Sequence, residues 1–180
     1  RRPWSAQVTI TRAKELQVTG GLFVVERVRG SQHAEFGLAV EGQPLQPARS
    51  MINGEAPKTI DVYGLPELEA YSPFLRDLWD VADVLGVPLE GAISEFAPGQ
   101  IELTLAHKPD ALAAADDAQI YKRAVKGVAL KHGCEATFMA KPWADQAGNG
   151  FHVHVSFNDA DGNNLCASED LEGSEILKWA

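Results

Sequence analysis

Two spacings of apolar residues organise this chain. Gly150-Phe-His-Val-His-Val-Ser-Phe157 alternates apolar and polar without a fault. That period of two predicts a strand over Phe151–Phe157 with one apolar and one polar face. Between Ser72 and Leu85, Phe74, Leu75, Leu78, Val81, Ala82 and Leu85 recur at helical spacing instead. Ser72-Pro73 suits a helix start, with the serine as cap and the proline at the first position. Gly86 and Pro88 mark that helix's end. A longer helix is expected from about Asp110 to His132, stopped by Gly133. Leu22–Val28 is rich in β-branched and aromatic residues and reads as a strand. Ala34–Val40, Glu135–Ala140 and two pieces of Ala92–Leu105 around Pro98-Gly99 read the same way. Gln7–Leu16 reads as a helix, broken by Gly20-Gly21. Pro44–Lys58 holds three prolines and reads as a loop. Turns are expected at Gly30-Ser31, Glu41–Pro44 and Asp159–Asn163.

Strands and helices in this order predict an α+β fold, a largely antiparallel curved sheet flanked by helices. With 180 residues there is room for one ordinary domain with a real core, and no repeat interrupts it. The balance of 16 Lys and Arg against 25 Asp and Glu gives a formal charge of −9, which argues against a nucleic-acid grip. The two cysteines, Cys134 and Cys166, form no CxxC pair and read as small apolar residues in a reducing compartment. No run approaches the roughly 18–20 apolar residues that span a bilayer, and no apolar stretch follows the N-terminus as in a secretory signal. A cytoplasmic protein without membrane contact is expected. Both ends look cut, so the chain reads as an internal piece of a longer protein.

The polar face of the alternating strand carries His152, His154 and Ser156. Two histidines on one strand face can bind zinc as well as other divalent cations, so the HxH pattern alone does not choose the chemistry. No HExxH motif accompanies it. A second constellation is Glu95-Phe-Ala-Pro-Gly-Gln-Ile-Glu102. Its carboxylates would point to opposite faces of a straight strand, but a Pro-Gly turn between them can bring both to one side. Ile101, Leu103 and Leu105 make a core side, leaving Glu102 on the other. Paired carboxylates facing a histidine strand suggest a hard divalent cation, Mg²⁺ or Mn²⁺, of the kind that neutralises phosphate oxygens.

Taken together these segments resemble the glutamine synthetase family. Ile93–Glu102 is similar to the segment that supplies two metal-binding glutamates. Ala136-Thr-Phe-Met-Ala-Lys-Pro142 is similar to the family's next strand, and Ala144–Ser156 to its ATP and metal signature. The clear match runs from about Pro57 to Gly162. The resemblance implies that residues 1–180 are a partial catalytic domain, without the family's N-terminal β domain and C-terminal part. It implies Glu95 and Glu102 as ligands of a first cation and His152 as a ligand of a second. It implies His154 at the ATP phosphates, Ser156 near the adenine and Gly148 in the amino-acid substrate loop. His107 falls near the place of an aromatic residue that stacks on the base. The family's Glu-x-Glu-Phe strand finds its nearest match in His33-Ala-Glu-Phe36, so that Glu35 completes the first site and His33 replaces a glutamate of the second.

The activity implied is ATP-dependent ligation of glutamate to ammonia or an amine through an acyl phosphate, with two Mg²⁺ or Mn²⁺ sites. Ala147 stands where ammonia-using members carry Asn, a departure that resembles the branch joining glutamate to amines such as putrescine. Family members form rings with sites between subunits, so a homo-oligomer is expected for the whole protein, and the piece alone is expected to be inactive. His33 and the atypical N-terminal strand also motivate a second reading: a protein that binds nucleotide and metal but has lost catalysis.

Overall fold

The computed structural model describes residues 13–26, 46–57, 61–170 and 173–179. Its organising element is strand β1, Ala13–Glu26. This strand is hydrogen-bonded along both edges. Thr19 stands opposite both Thr104 and His152, and Phe23 opposite both Gln100 and Thr137. Strand β3 (Gln100–Leu105) therefore occupies one edge, while β4 (Cys134–Thr137) and β5 (Phe151–Phe157) share the other. Strand β2 (Leu89–Ser94) pairs with the outer edge of β3. Every one of these pairings is antiparallel, in keeping with the α+β class.

Residues 13–16 overturn the expected helix over Gln7–Leu16, whose earlier part lies outside the described residues. Leu16 and Val18 are drawn into a ladder opposite Val155 and Val153, and such cross-strand pairing outweighs a local helical preference. Gly20 and Gly21 do not break β1 either. Gly20 sits between Leu103 and Phe151, and Gly21 opposite Glu102. The turns at Gly30-Ser31 and Glu41–Pro44 and the strand at Ala34–Val40 fall outside the described residues.

Helix α1, Leu65–Ala70, was not expected from the pattern. It runs almost directly into α2, Ser72–Leu85. That junction corrects the cap: Tyr71 takes the N-cap position, Ser72 is already helical, and no side chain caps the helix. Tyr71 is bound on both sides, its N–H to Leu68 O at 3.2 Å and its carbonyl to Leu75 N at 3.0 Å. Gly86, at φ 70°, ends α2 in the left-handed conformation that glycine adopts without strain. Helix α3, Ala111–Lys131, begins as expected. Asp110 caps it, accepting from Leu112 N at 2.9 Å and Ala113 N at 3.0 Å. A short helix α4, Glu175–Trp179, closes the described chain.

Both long helices bury apolar stripes against one sheet face. Phe74, Leu78 and Ala82 of α2 and Tyr121, Val125 and Val128 of α3 join Leu22, Val24, Ile101, Leu103, Leu105 and Ala136 in a single core. Asp77 of α2 binds both Lys131 at 2.6 Å and His132 at 2.8 Å at the end of α3. Those two partners hold its carboxyl below the usual range. Strand β4 stops at Thr137, three residues short of the expected Ala140, because Thr137 Oγ1 accepts from Met139 N at 3.2 Å and turns the chain.

Leu78 is fully buried, so Leu78→Ala is expected to cost about 2–5 kcal/mol in the protein that contains this chain. Loss of the cap in Asp110→Ala should cost only about 1 kcal/mol. Denaturant unfolding measures both, and a reversed order would contradict this packing.

Candidate functional site

Opposed residues of an antiparallel ladder share a sheet face, and successive rows alternate. The row of Leu22 and Ile101 and the row of Val24 and Ala136 belong to the buried face. The intervening rows therefore belong to the other face. They hold Glu102 opposite Gly21, the Thr104–Thr19–His152 row, and His154 opposite Gln17. Ser156 follows at the next same-face position, opposite Glu15. Glu102, His152, His154 and Ser156 thus occupy positions on one polar face.

Glu95 joins them through the hairpin between β2 and β3. Its N–H donates to Gln100 O at 2.9 Å, so Glu95 stands opposite Gln100 and shares a face with Gln100 and Glu102. Residues 96–99 form the loop, and Gly99, at φ 73°, makes its turn. The odd spacing of the two glutamates is what a hairpin needs, since opposed residues across an even loop always differ by an odd number. Both carboxylates are half-buried. Hard oxygen donors on one face fit a Mg²⁺ or Mn²⁺ ion. Among the residues whose side chains are described, no three His, Cys, Asp or Glu gather into a metal-ready cluster. Glu35 and His33 lie outside the described residues, and His152 and His154 are placed by backbone register alone.

Two further predicted residues sit at the margins. His107 is exposed in the connection after β3, beside Lys108, which pairs with Asp117 of α3. Gly148 lies in the segment between β4 and β5. A Cβ on it would meet Ala140 O at 2.6 Å, so only glycine passes there without displacement. Ala147 packs with Trp143 against the buried Ala97 of the hairpin loop.

Sequence reasoning missed the amides that join these parts. Gln100, 1% exposed, accepts from Ala97 N through Oε1 at 3.0 Å. Its Nε2 donates to Gly148 O and Asn149 Oδ1, both at 3.0 Å. Asn149 Nδ2 donates to Met139 O at 2.8 Å. The usable signal was Gln100 itself, an uncharged polar residue two positions from Glu102 and on the same face.

Glu67 of α1 was also missed. Its Oε1 accepts from Gly99 N at 2.6 Å and holds the hairpin tip from the helix side. It borders a groove of about 370 Å³ that includes Ser50, Asn53, Glu55, Asp61 and Tyr71. None of the predicted site residues whose side chains are described lines that groove. Burial pushes the Glu67 carboxyl up, the Gly99 N–H pulls it down, and Asp61 adds to the rise; the net shift is upward.

Comparison with known proteins bears on this geometry. The family model for the glutamine synthetase catalytic domain matches residues 22–180. Gamma-glutamylputrescine synthetase PuuA of Escherichia coli K12 is 39% identical over 117 residues, 65% of this chain and 25% of that protein. A glutamate–isopropylamine ligase of a Pseudomonas species is 45% identical over 89 residues, 49% of this chain and 19% of that protein. A glutamine synthetase of Mycobacterium bovis is 32% identical over 130 residues, 70% of this chain and 29% of that protein. The match therefore spans 19–29% of the length of these relatives. Among solved structures, one described as apo GmaS without ligand superposes with a TM-score of 0.70 at 26% identity, over 93% of this chain and 35% of that one.

The raised Glu67 carboxyl carries a pH signature. A neutral form favoured by folding contributes stability that is full below the unfolded carboxyl pKa and lost as pH rises through the folded one. Glu67→Gln should flatten that part of the stability profile, leaving stability less dependent on pH above about 4.3. Thermal unfolding measured across pH 4 to 7 checks it, and an unchanged slope would rule Glu67 out as its source.

Proposed function

This chain belongs to the glutamine synthetase family, and from that membership we propose that the protein containing it is an ATP-dependent carboxylate–amine ligase. In this reading residues 1–180 are part of one catalytic domain. Glutamate and an amine are joined through an acyl phosphate. The acceptor is an organic amine in place of ammonia. Two relatives named for such amines, at 39% and 45% identity, support this against 32% for the Mycobacterium bovis glutamine synthetase. Ala147 supports it too, since it offers no side-chain polar group beside Gly148.

The reaction is a pair of substitutions. The glutamate γ-carboxylate attacks the γ-phosphorus of ATP, and ADP leaves. The amine nitrogen then attacks the acyl carbon, loses a proton, and inorganic phosphate leaves. The protein's part is to hold anionic partners in line and neutralise their repulsion. The observation that supports a site here is the single polar sheet face on which Glu95, Glu102 and His152 share positions. Glu35, Glu95 and Glu102 would hold one divalent cation, and His152, with His33, a second. Bound there, Mg²⁺ or Mn²⁺ supplies charge neutralisation of the phosphate oxygens. His154 would meet the ATP phosphates, Ser156 and His107 the adenine, and Gly148 the glutamate.

The whole protein is read as a cytoplasmic homo-oligomer, a ring whose sites lie between subunits. Among the described residues no helix is long and apolar enough to cross a membrane.

Phosphate release from ATP by the full-length protein should require both glutamate and an amine, with alkylamines or diamines outperforming ammonia. Glu102→Ala should lower kcat/KM by roughly 100-fold or more and weaken Mn²⁺ binding in a direct titration. Near-full turnover in that variant would refute the assignment. Nucleotide binding with no product from any amine would favour the inactive reading instead.

A further inference from the structure

The segment from Met139 to Asn149 leaves the sheet and returns to it through a neck closed by one residue. Asn149 N donates to Ala140 O at 2.7 Å and Asn149 Nδ2 to Met139 O at 2.8 Å, so Asn149 clasps both arms of the loop. Gly148 passes so close to Ala140 O that no side chain fits between them. Gln100 then fastens this neck to the sheet with bonds to Gly148 O and Asn149 Oδ1. Both amide orientations follow from fixed backbone groups. Ala97 N–H can only donate, so it requires the Gln100 oxygen; Met139 O can only accept, so it requires the Asn149 nitrogen.

We propose that Gln100 and Asn149 are positioning residues that lock the Met139–Asn149 loop to the polar sheet face and thereby set the affinity for the amino-acid substrate. The inference rests on the reading of Gly148 as a substrate contact. Gln100 shares its face with Glu95 and Glu102. A cation at this position would compete for those carboxylates, and an anion could not donate to Gly148 O. A neutral amide does the tethering without disturbing the charge on that face. Because the tether ends on the Gly148 carbonyl itself, its loss should loosen the loop while leaving the strand-borne glutamates in place.

Gln100→Met in the full-length protein removes the donor nitrogen at similar length and adds no charge to that face. The KM for glutamate should rise about tenfold, with the KM for ATP and the Mn²⁺ affinity within about twofold of wild type. Hydrogen exchange read by mass spectrometry should quicken across residues 139–149 and not in α2 or α3. Asn149→Ala, which removes the donor to Met139 O, should give the same split, and it carries the test if Gln100→Met fails to fold. An unchanged glutamate KM overturns the proposal. So does a parallel loss of ATP and Mn²⁺ affinity, which would mean a general structural role. Wild-type turnover that ignores glutamate would overturn the ligase reading and the substrate half of this inference with it. The exchange rates would then decide the tether by themselves.

Discussion

A strand bonded along both edges cannot slip by one residue without turning its buried positions to water and its polar positions to the core. In β1, Leu22 and Val24 are fully buried, and their partners Ile101 and Ala136 lie against the same helices. That burial fixes the register of β3, β4 and β5 together, because all of them read their alignment from β1. Glu102 opposite Gly21 and His152 opposite Thr19 are therefore consequences of core packing on the far face. The polar face needs no attraction between its own members to be assembled. This matters for carboxylates, which repel one another until a cation arrives.

The hairpin tip and the loop beyond β4 lack such backing. Neither contributes much apolar surface, and Ala97 with Trp143 and Ala147 forms only a small satellite cluster. Hydrogen bonds to buried polar groups replace hydrophobic burial there. Glu67 holds Gly99 from one side and Gln100 holds Gly148 and Asn149 from the other. Buried amides are costly when unpaired and strongly directional when paired. A site built this way is ordered at low cost in apolar area but is sensitive to single substitutions.

The sequence was legible where a single period runs along an element's whole length. Residues 151–157, α2 and α3 announce themselves by period, and Asp110 and Gly133 mark ends as local chemistry requires. It was illegible where long-range pairing decides. Nothing local in Ala13–Leu16 distinguishes a strand from a helix; the partners that settle it lie about 140 positions later, at Val155 and Phe157. Ser72 looked like a cap from its own hydroxyl and Pro73, but α1 ends only two residues before it and leaves the cap position to Tyr71; a six-residue helix gives little periodicity to read. Glu95 and Glu102 were visible as chemistry, whereas Gln100 and Asn149 were not. An amide's role depends on which backbone groups are brought to it, and those come from 48 and 10 residues away.

The same division bears on how one family can serve different acceptors. Residues on the sheet face are held by a ladder that tolerates no shift, so in the proposed reaction they suit the part that does not vary, the handling of phosphate. Loop residues can change without disturbing that register. Ala147 is an example: it packs against Ala97 of the hairpin loop, as Trp143 does. A polar side chain there would have to leave that cluster to reach a substrate. An alanine packs against the hairpin loop and offers no polar side-chain group in the neighbourhood of Gly148. In the proposed ligase, acceptor preference and loop packing would then both depend on one small side chain.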